Sequence, residues 1–91
     1  MMILHKPDEH RFETVVDGET AYIEYVLQGD SLALLHTVVP QKIERRGIGT
    51  DLVKYAFQYA KENDLVIKPF CSFVVHFLNK NKSYQEQLKR D

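Results

Sequence analysis

Apolar and polar positions alternate in two successive stretches of this 91-residue chain, Arg11 to Val16 and Thr20 to Leu27. A period of two predicts strands, and the Asp17-Gly18 pair between them is a turn signal for an antiparallel hairpin. Ala21, Ile23, Tyr25 and Leu27 would share one face. Gln28-Gly29-Asp30 supplies a second turn, after which Ser31 to Val39 is so nearly continuously apolar that it predicts a central strand covered on both faces. The rhythm then changes. From about Arg46 to Glu62, Ile48, Leu52, Tyr55, Ala56 and Tyr59 recur at helical spacing, a stripe expected to pack on the sheet.

Asn63-Asp64 ends that helix, and Leu65 to Pro69 reads as a short strand. A strand-helix-strand unit of this length predicts a right-handed parallel crossover, with the strands from Ser31 and Leu65 as neighbours. Cys71 to Leu78 suits a short helix with Phe73, Val74 and Phe77 inward, Asn79 to Tyr84 a loop, and Gln85 to Asp91 a polar tail of helical character. At the other end, Met2 to Leu4 predicts a short first strand and His5 to His10, which contains Pro7, a loop. The expected class is α/β of the α+β kind: a mixed sheet with antiparallel N-terminal strands, a central crossover, and two C-terminal helices.

Composition narrows the function. Ninety-one residues suit one domain spanning 1–91 with a modest core. With 27% charged residues and a net charge of −1, no overall basic field points to nucleic acid, so a partner must be recognised locally. The sole cysteine excludes an internal disulfide and fits a reducing compartment. The N-terminus lacks the apolar core of a signal peptide, and Phe70 to Leu78 is far short of the ~20 residues a membrane helix needs, so a cytoplasmic location is expected. His5, His10, His36 and His76 show no metal-ligand spacing, so no metal is expected.

Chemistry concentrates between His36 and Thr50, where an apolar strand stops at Pro40 and a polar loop carrying Arg45, Arg46, Gly47 and Gly49 leads into the long helix. A helix start offers unpartnered amides at a positive dipole end, and glycines let an anion approach the backbone. The turn is not a Walker loop, because Gly49 is followed directly by Thr50 with no lysine. Nor is it a dinucleotide fingerprint, which needs a small residue at Leu52 and an acidic group where this chain has Lys68. Taken alone, Arg-Arg-Gly-x-Gly is equally the look of a glycine-started helix with solvated arginines.

The Arg-Gly-x-Gly turn between strand and helix resembles the acetyl-coenzyme A diphosphate loop of the GNAT N-acetyltransferase superfamily. The usual pattern there is Gln/Arg-x-x-Gly-x-Gly/Ala, and this chain has Glu44 at its first position. His36-Thr37-x-Val39-Pro40 before the loop, joined to Pro69-x-Cys71-Ser72-Phe73-Val74 after it, is similar to a branch of very small single-domain GNAT-like proteins with an active-site cysteine. The likeness covers roughly Glu24 to Tyr84.

The resemblance implies acetyl-CoA as donor and an amine as acceptor. The two parallel strands would splay to admit the pantetheine arm, with the backbone of Val38 and Val39 pairing to it and Arg45, Arg46, Gly47, Ile48, Gly49 and Thr50 holding the diphosphate. Asn79 or Lys82, beyond the last helix, would meet its phosphates or adenine end. Cys71 and His36 would be the catalytic pair. A thiol at a helix start is favoured as the reactive thiolate, and Cys71 would either carry the acetyl group or line the site while the amine attacks directly. His36 would act as base, although its alternation with Leu32 and Leu34 equally suits a core histidine; Thr37, on the opposite face, would be structural. Without the N-terminal helices of larger relatives, the acceptor site would be open or completed by a second subunit, so a monomer or a homodimer fits. Two other readings stay open: a coenzyme A-binding module with little transferase activity, and an interaction protein using Arg45 and Arg46 on an acidic partner.

Overall fold

A computed structural model describes residues 1–89. Five strands form one sheet in the order β1-β2-β3-β4-β5: Leu4–Lys6, Arg11–Val16, Glu19–Gln28, Ser31–Val38 and Val66–Pro69. The first four run antiparallel, with the expected hairpin closing at Val16 opposite Glu19, and β4 and β5 are parallel. The mixed sheet and crossover are those expected from the residue pattern. The first strand falls two residues later than expected, because Leu4 to Lys6 pair with Glu13 to Arg11.

The crossover helix α1, Ile48–Glu62, lies across β2 to β5. Its packing face differs from the expected stripe: Ile48, Leu52 and Ala56 are buried, joined by Val53, Phe57 and Ala60, whereas Tyr55 is exposed and Tyr59 only half-buried. Neighbouring elements explain the rotation. Helix α2, Ser72–Lys80, and a run of 3-10 turns, Lys82–Leu88, flank α1, so Phe77 and Tyr84 meet Phe57 with ring centroids 5.8 and 5.5 Å apart. The end of α2 and these turns together replace the loop expected at Asn79 to Tyr84. Of the tail, Arg90 and Asp91 lie outside the described residues.

The inner face of α2 is Val74, Phe77 and Leu78, while Phe73, expected to face inward, is 39% exposed. In β4 the expectation of cover on both sides holds for Ser31 to Leu34, all buried, and lapses from Leu35 onward. Leu27, at the turn end of β3, is exposed while Ala21, Ile23 and Tyr25 are buried. No described helix is long and apolar enough to cross a membrane.

Candidate active site

Strands β4 and β5 pair from Ser31 with Val66 to Leu34 with Pro69, and the Phe70 N–H adds one further bond to Leu34 O at 3.0 Å. There the two chains part. Strand β4 continues to Val38 beside β3, while the chain leaving β5 turns into α2 with Cys71 as its N-cap. The parting opens a cleft of about 470 Å³ lined by Leu35, His36, Thr37, Val38, Tyr22 and the segment from Phe70 to Phe73. Cys71 lines this cleft although the residue is only 7% exposed.

A register change in β4 decides which side chain meets the thiol. Tyr25 pairs with Leu34 and Glu24 with His36, so Leu35 is an extra residue on β4, a β-bulge. One inserted residue exchanges the two faces of everything beyond it. Unbroken alternation would have placed His36 with Leu32 and Leu34 on the helix-covered face. Instead Thr37 stands there, opposite the fully buried Ile23, and its Oγ1 lies 3.4 Å from Cys71 Sγ. The expectation that Thr37 falls away from the thiol is thereby corrected. His36 emerges on the bare face of the sheet, its side chain 72% exposed and its Nε2 3.9 Å from Glu24 Oε1.

Beyond Val39 a 3-10 turn, Gln41–Ile43, anchors the buried Ile43, and the chain reverses through left-handed backbone at Arg45 and Gly47. A φ of 76° at Gly47 calls for glycine, whereas Arg45 holds a φ of 64° at a cost of order 1–3 kcal/mol, a strain that gathers at ligand sites. Helix α1 begins at Ile48 with no side-chain cap, its first bond running from the Asp51 N–H to Gly47 O at 3.0 Å. The amides of Ile48, Gly49 and Thr50 thus precede the first intrahelical donor at the positive dipole end, as an anion site requires. A second hollow of about 440 Å³ opens there, lined by Glu44, Arg45, Gly47, Ile48, Gly49, Thr50, Val39, Thr37 and Phe73.

Thr37 and Phe73 line both hollows, so the glycine turn and the cysteine lie in adjoining parts of one groove that the Phe73 ring divides. At the neck the Phe73 ring lies over Gly49, where a Cβ would fall 2.7 Å from its Cζ. Any larger residue at position 49 would have to push this ring aside. The two hollows thus offer bare amides at one end, strand β4 along the middle and a thiol at the other.

A sequence profile of the GCN5-related N-acetyl-transferase family matches residues 11–88, which is everything from β2 to the final 3-10 turns. The chain belongs to that family. This GNAT is also similar to a Staphylococcus aureus protein assigned to the GCN5-like N-acetyltransferases, whose solution structure superposes with a TM-score of 0.73. The two are 32% identical, and the match covers 92% of this chain and 83% of the other. This GNAT is thus an acyltransferase by family and fold, and its family generally uses acetyl-CoA.

Of the residues singled out from the sequence of this GNAT, Cys71, His36, Val38, Val39, Arg45, Gly47, Ile48, Gly49 and Thr50 line the groove. Three do not. Arg46 turns away to Asp17 in the β2–β3 hairpin, with Nη1 2.7 Å from Oδ2. Asn79 stands in the last turn of α2, eight residues from Cys71 and so about 12 Å along the axis, and Lys82 lies beyond it. Thr37 and Phe73 are the groove residues that the hydrophobic pattern assigned to other roles. A larger hollow of about 810 Å³ between α1 and the C-terminal turns carries Lys54, Lys61 and Lys89 but neither a cysteine nor a histidine. Among the described residues, no three His, Cys, Asp or Glu side chains converge as metal ligands would.

Proposed function

We propose that this protein transfers an acetyl group from acetyl-CoA to an amine, with Cys71 as the acetyl carrier. The observation that supports it best is that the hollow at the uncapped amides and the hollow at the only thiol adjoin, sharing Thr37 and Phe73 as walls. The amides of Ile48, Gly49 and Thr50, with the Arg45 guanidinium, hold the diphosphate, and the unpaired side of β4 at Val38 and Val39 takes the pantetheine amides as an added strand. Acetyl-CoA supplies an acyl group already activated as a thioester.

The residues of the chain divide the remaining work. Thr37 orients the Cys71 sulfur towards the groove, the short wall of Phe70 and Phe73 limits water around it, and His36 takes the proton that the amine gives up. The whole span 1–91 serves as one acetyl-CoA-binding unit. A second reading, a coenzyme A-binding module with little transfer activity, draws on Glu44, an acidic residue in the lining of the hollow assigned to the phosphates.

Intact mass after incubation with acetyl-CoA separates the readings. The wild-type protein is expected to gain one acetyl adduct that is absent from Cys71→Ala and is discharged by added amine. Coenzyme A should raise the melting temperature of both proteins, since a ligand that binds only the folded state stabilises it. Stabilisation with neither adduct nor transfer would leave the binding module, and no stabilisation would remove both readings.

A further inference from the structure

The bare face of the sheet at the mouth of the cleft carries a row of directly paired residues, Lys6, Arg11, Glu24 and His36, one from each of β1 to β4. Charge along it is unevenly satisfied. The Arg11 guanidinium is taken by Glu13, with Nε and Nη2 both 2.8 Å from Oε1, and it also stacks on Tyr22 at 4.4 Å. Glu24 makes one ion-pair contact among the described residues, with His36 Nε2 at 3.9 Å, and its side chain is 41% exposed. A carboxylate thus stands beside the imidazole that lines the Cys71 cleft. The walls beside it are apolar: Val38 is exposed, and Phe70 is 66% exposed although it belongs to the cleft lining.

We propose that Glu24 is a positioning residue that selects acceptors by charge, holding an alkylammonium beside His36 while Val38 and Phe70 carry its methylene stem. The proposal rests on the acetyl-transfer reading and adds the residue that recognises the charge of a protonated amine acceptor. The ammonium gives one N–H proton to the His36 imidazole, and the resulting imidazolium is stabilised by the Glu24 carboxylate. The freed nitrogen lone pair then forms the C–N bond to the thioester carbonyl as the C–S bond breaks. The sulfur leaves as thiolate and takes the second nitrogen proton, and the imidazolium returns its proton to solvent.

Hexylamine and hexan-1-ol, which share a stem and differ in charge, test this without any acetyl donor. In an NMR titration the amine should shift the His36 ring signals and the alcohol should not; Glu24→Gln should weaken amine binding by about tenfold or more, and Glu24→Asp should recover most of it. In turnover, Glu24→Gln should raise the KM for hexylamine by a similar factor and leave the KM for acetyl-CoA unchanged. Equal binding of alcohol and amine, or indifference of amine binding to Glu24→Gln, would overturn the proposal. The titration reads Glu24 in the absence of coenzyme A, so a failure of charge selection is distinguishable from a failure of acetyl transfer itself.

Discussion

Thr37 Oγ1 lies 3.4 Å from Cys71 Sγ, bringing β4 and the start of α2 together across 34 residues of chain. The contact exists because Leu35 bulges out of the β3–β4 ladder and turns Thr37 to the thiol side. Thr37→Val keeps the shape and the strand preference but removes the hydroxyl. The rate of Cys71 alkylation by iodoacetamide, followed by mass, should fall about two- to tenfold, the worth of one modest hydrogen bond, while Thr37→Ser stays near wild type. An unchanged rate in the valine variant would show that the hydroxyl does nothing for the sulfur.

Gly49 gives a second test, because two effects oppose there. Alanine is a better helix residue than glycine by roughly 0.5–1 kcal/mol, yet its Cβ would come within 2.7 Å of Phe73 Cζ. The ring is partly exposed and can turn, so the folded state should survive. The added methyl and the displaced ring would nonetheless stand in the hollow that the helix-start residues line. Gly49→Ala is therefore expected to melt close to wild type but to bind coenzyme A about tenfold or more weakly, measured by calorimetry. Wild-type affinity in this variant would contradict the placement of the diphosphate.

The pH dependence of stability should centre on an aromatic cluster far from the thiol. The His5 ring packs 4.6 Å from Phe12 and 4.8 Å from Tyr59, and its Nε2 is hydrogen-bonded to the Tyr25 hydroxyl. Burial lowers the His5 pKa from its ordinary 6.5, and burial first, then Tyr59, raises that of Tyr25 from 10.0. Above pH 6.5 His5 is neutral in both folded and unfolded chains. Below it the unfolded chain takes up a proton that the folded one resists, so stability falls as pH drops from 6.5 towards the lower folded value. For Tyr25 the loss comes above pH 10, where the unfolded phenol ionises first. Melting temperatures between pH 7.5 and about 5 should accordingly fall less steeply for His5→Phe than for wild type; parallel curves would refute the assignment.

Much of the architecture was legible because it follows from local chemistry. Asp17-Gly18 marks a hairpin turn, the switch from alternating to helical spacing after Gly47 marks the crossover, and Pro69 to Cys71 marks the passage from β5 to α2. The glycine turn was legible as a candidate anion site for the same reason: uncapped amides and missing side chains are properties of a few adjacent residues. The face of α1 was harder to read. Tyr55 and Tyr59 are as apolar as Phe57 in the pattern, and only the approach of Phe77 and Tyr84 selects Phe57 for the interior.

The sequence by itself determined the order of the elements, the parallel crossover and the chemistry available at Gly47, Gly49 and Cys71, since each is written in neighbouring residues or in a period. Only the tertiary structure decided that Thr37 and not His36 meets the thiol, that Arg46 leaves the groove for Asp17, and that Phe73 spans the neck between the two hollows. A bulge, an ion pair across 29 residues and a ring laid over a distant glycine are contacts between separate segments, and no local pattern of side chains encodes which of the permitted partners will be in reach.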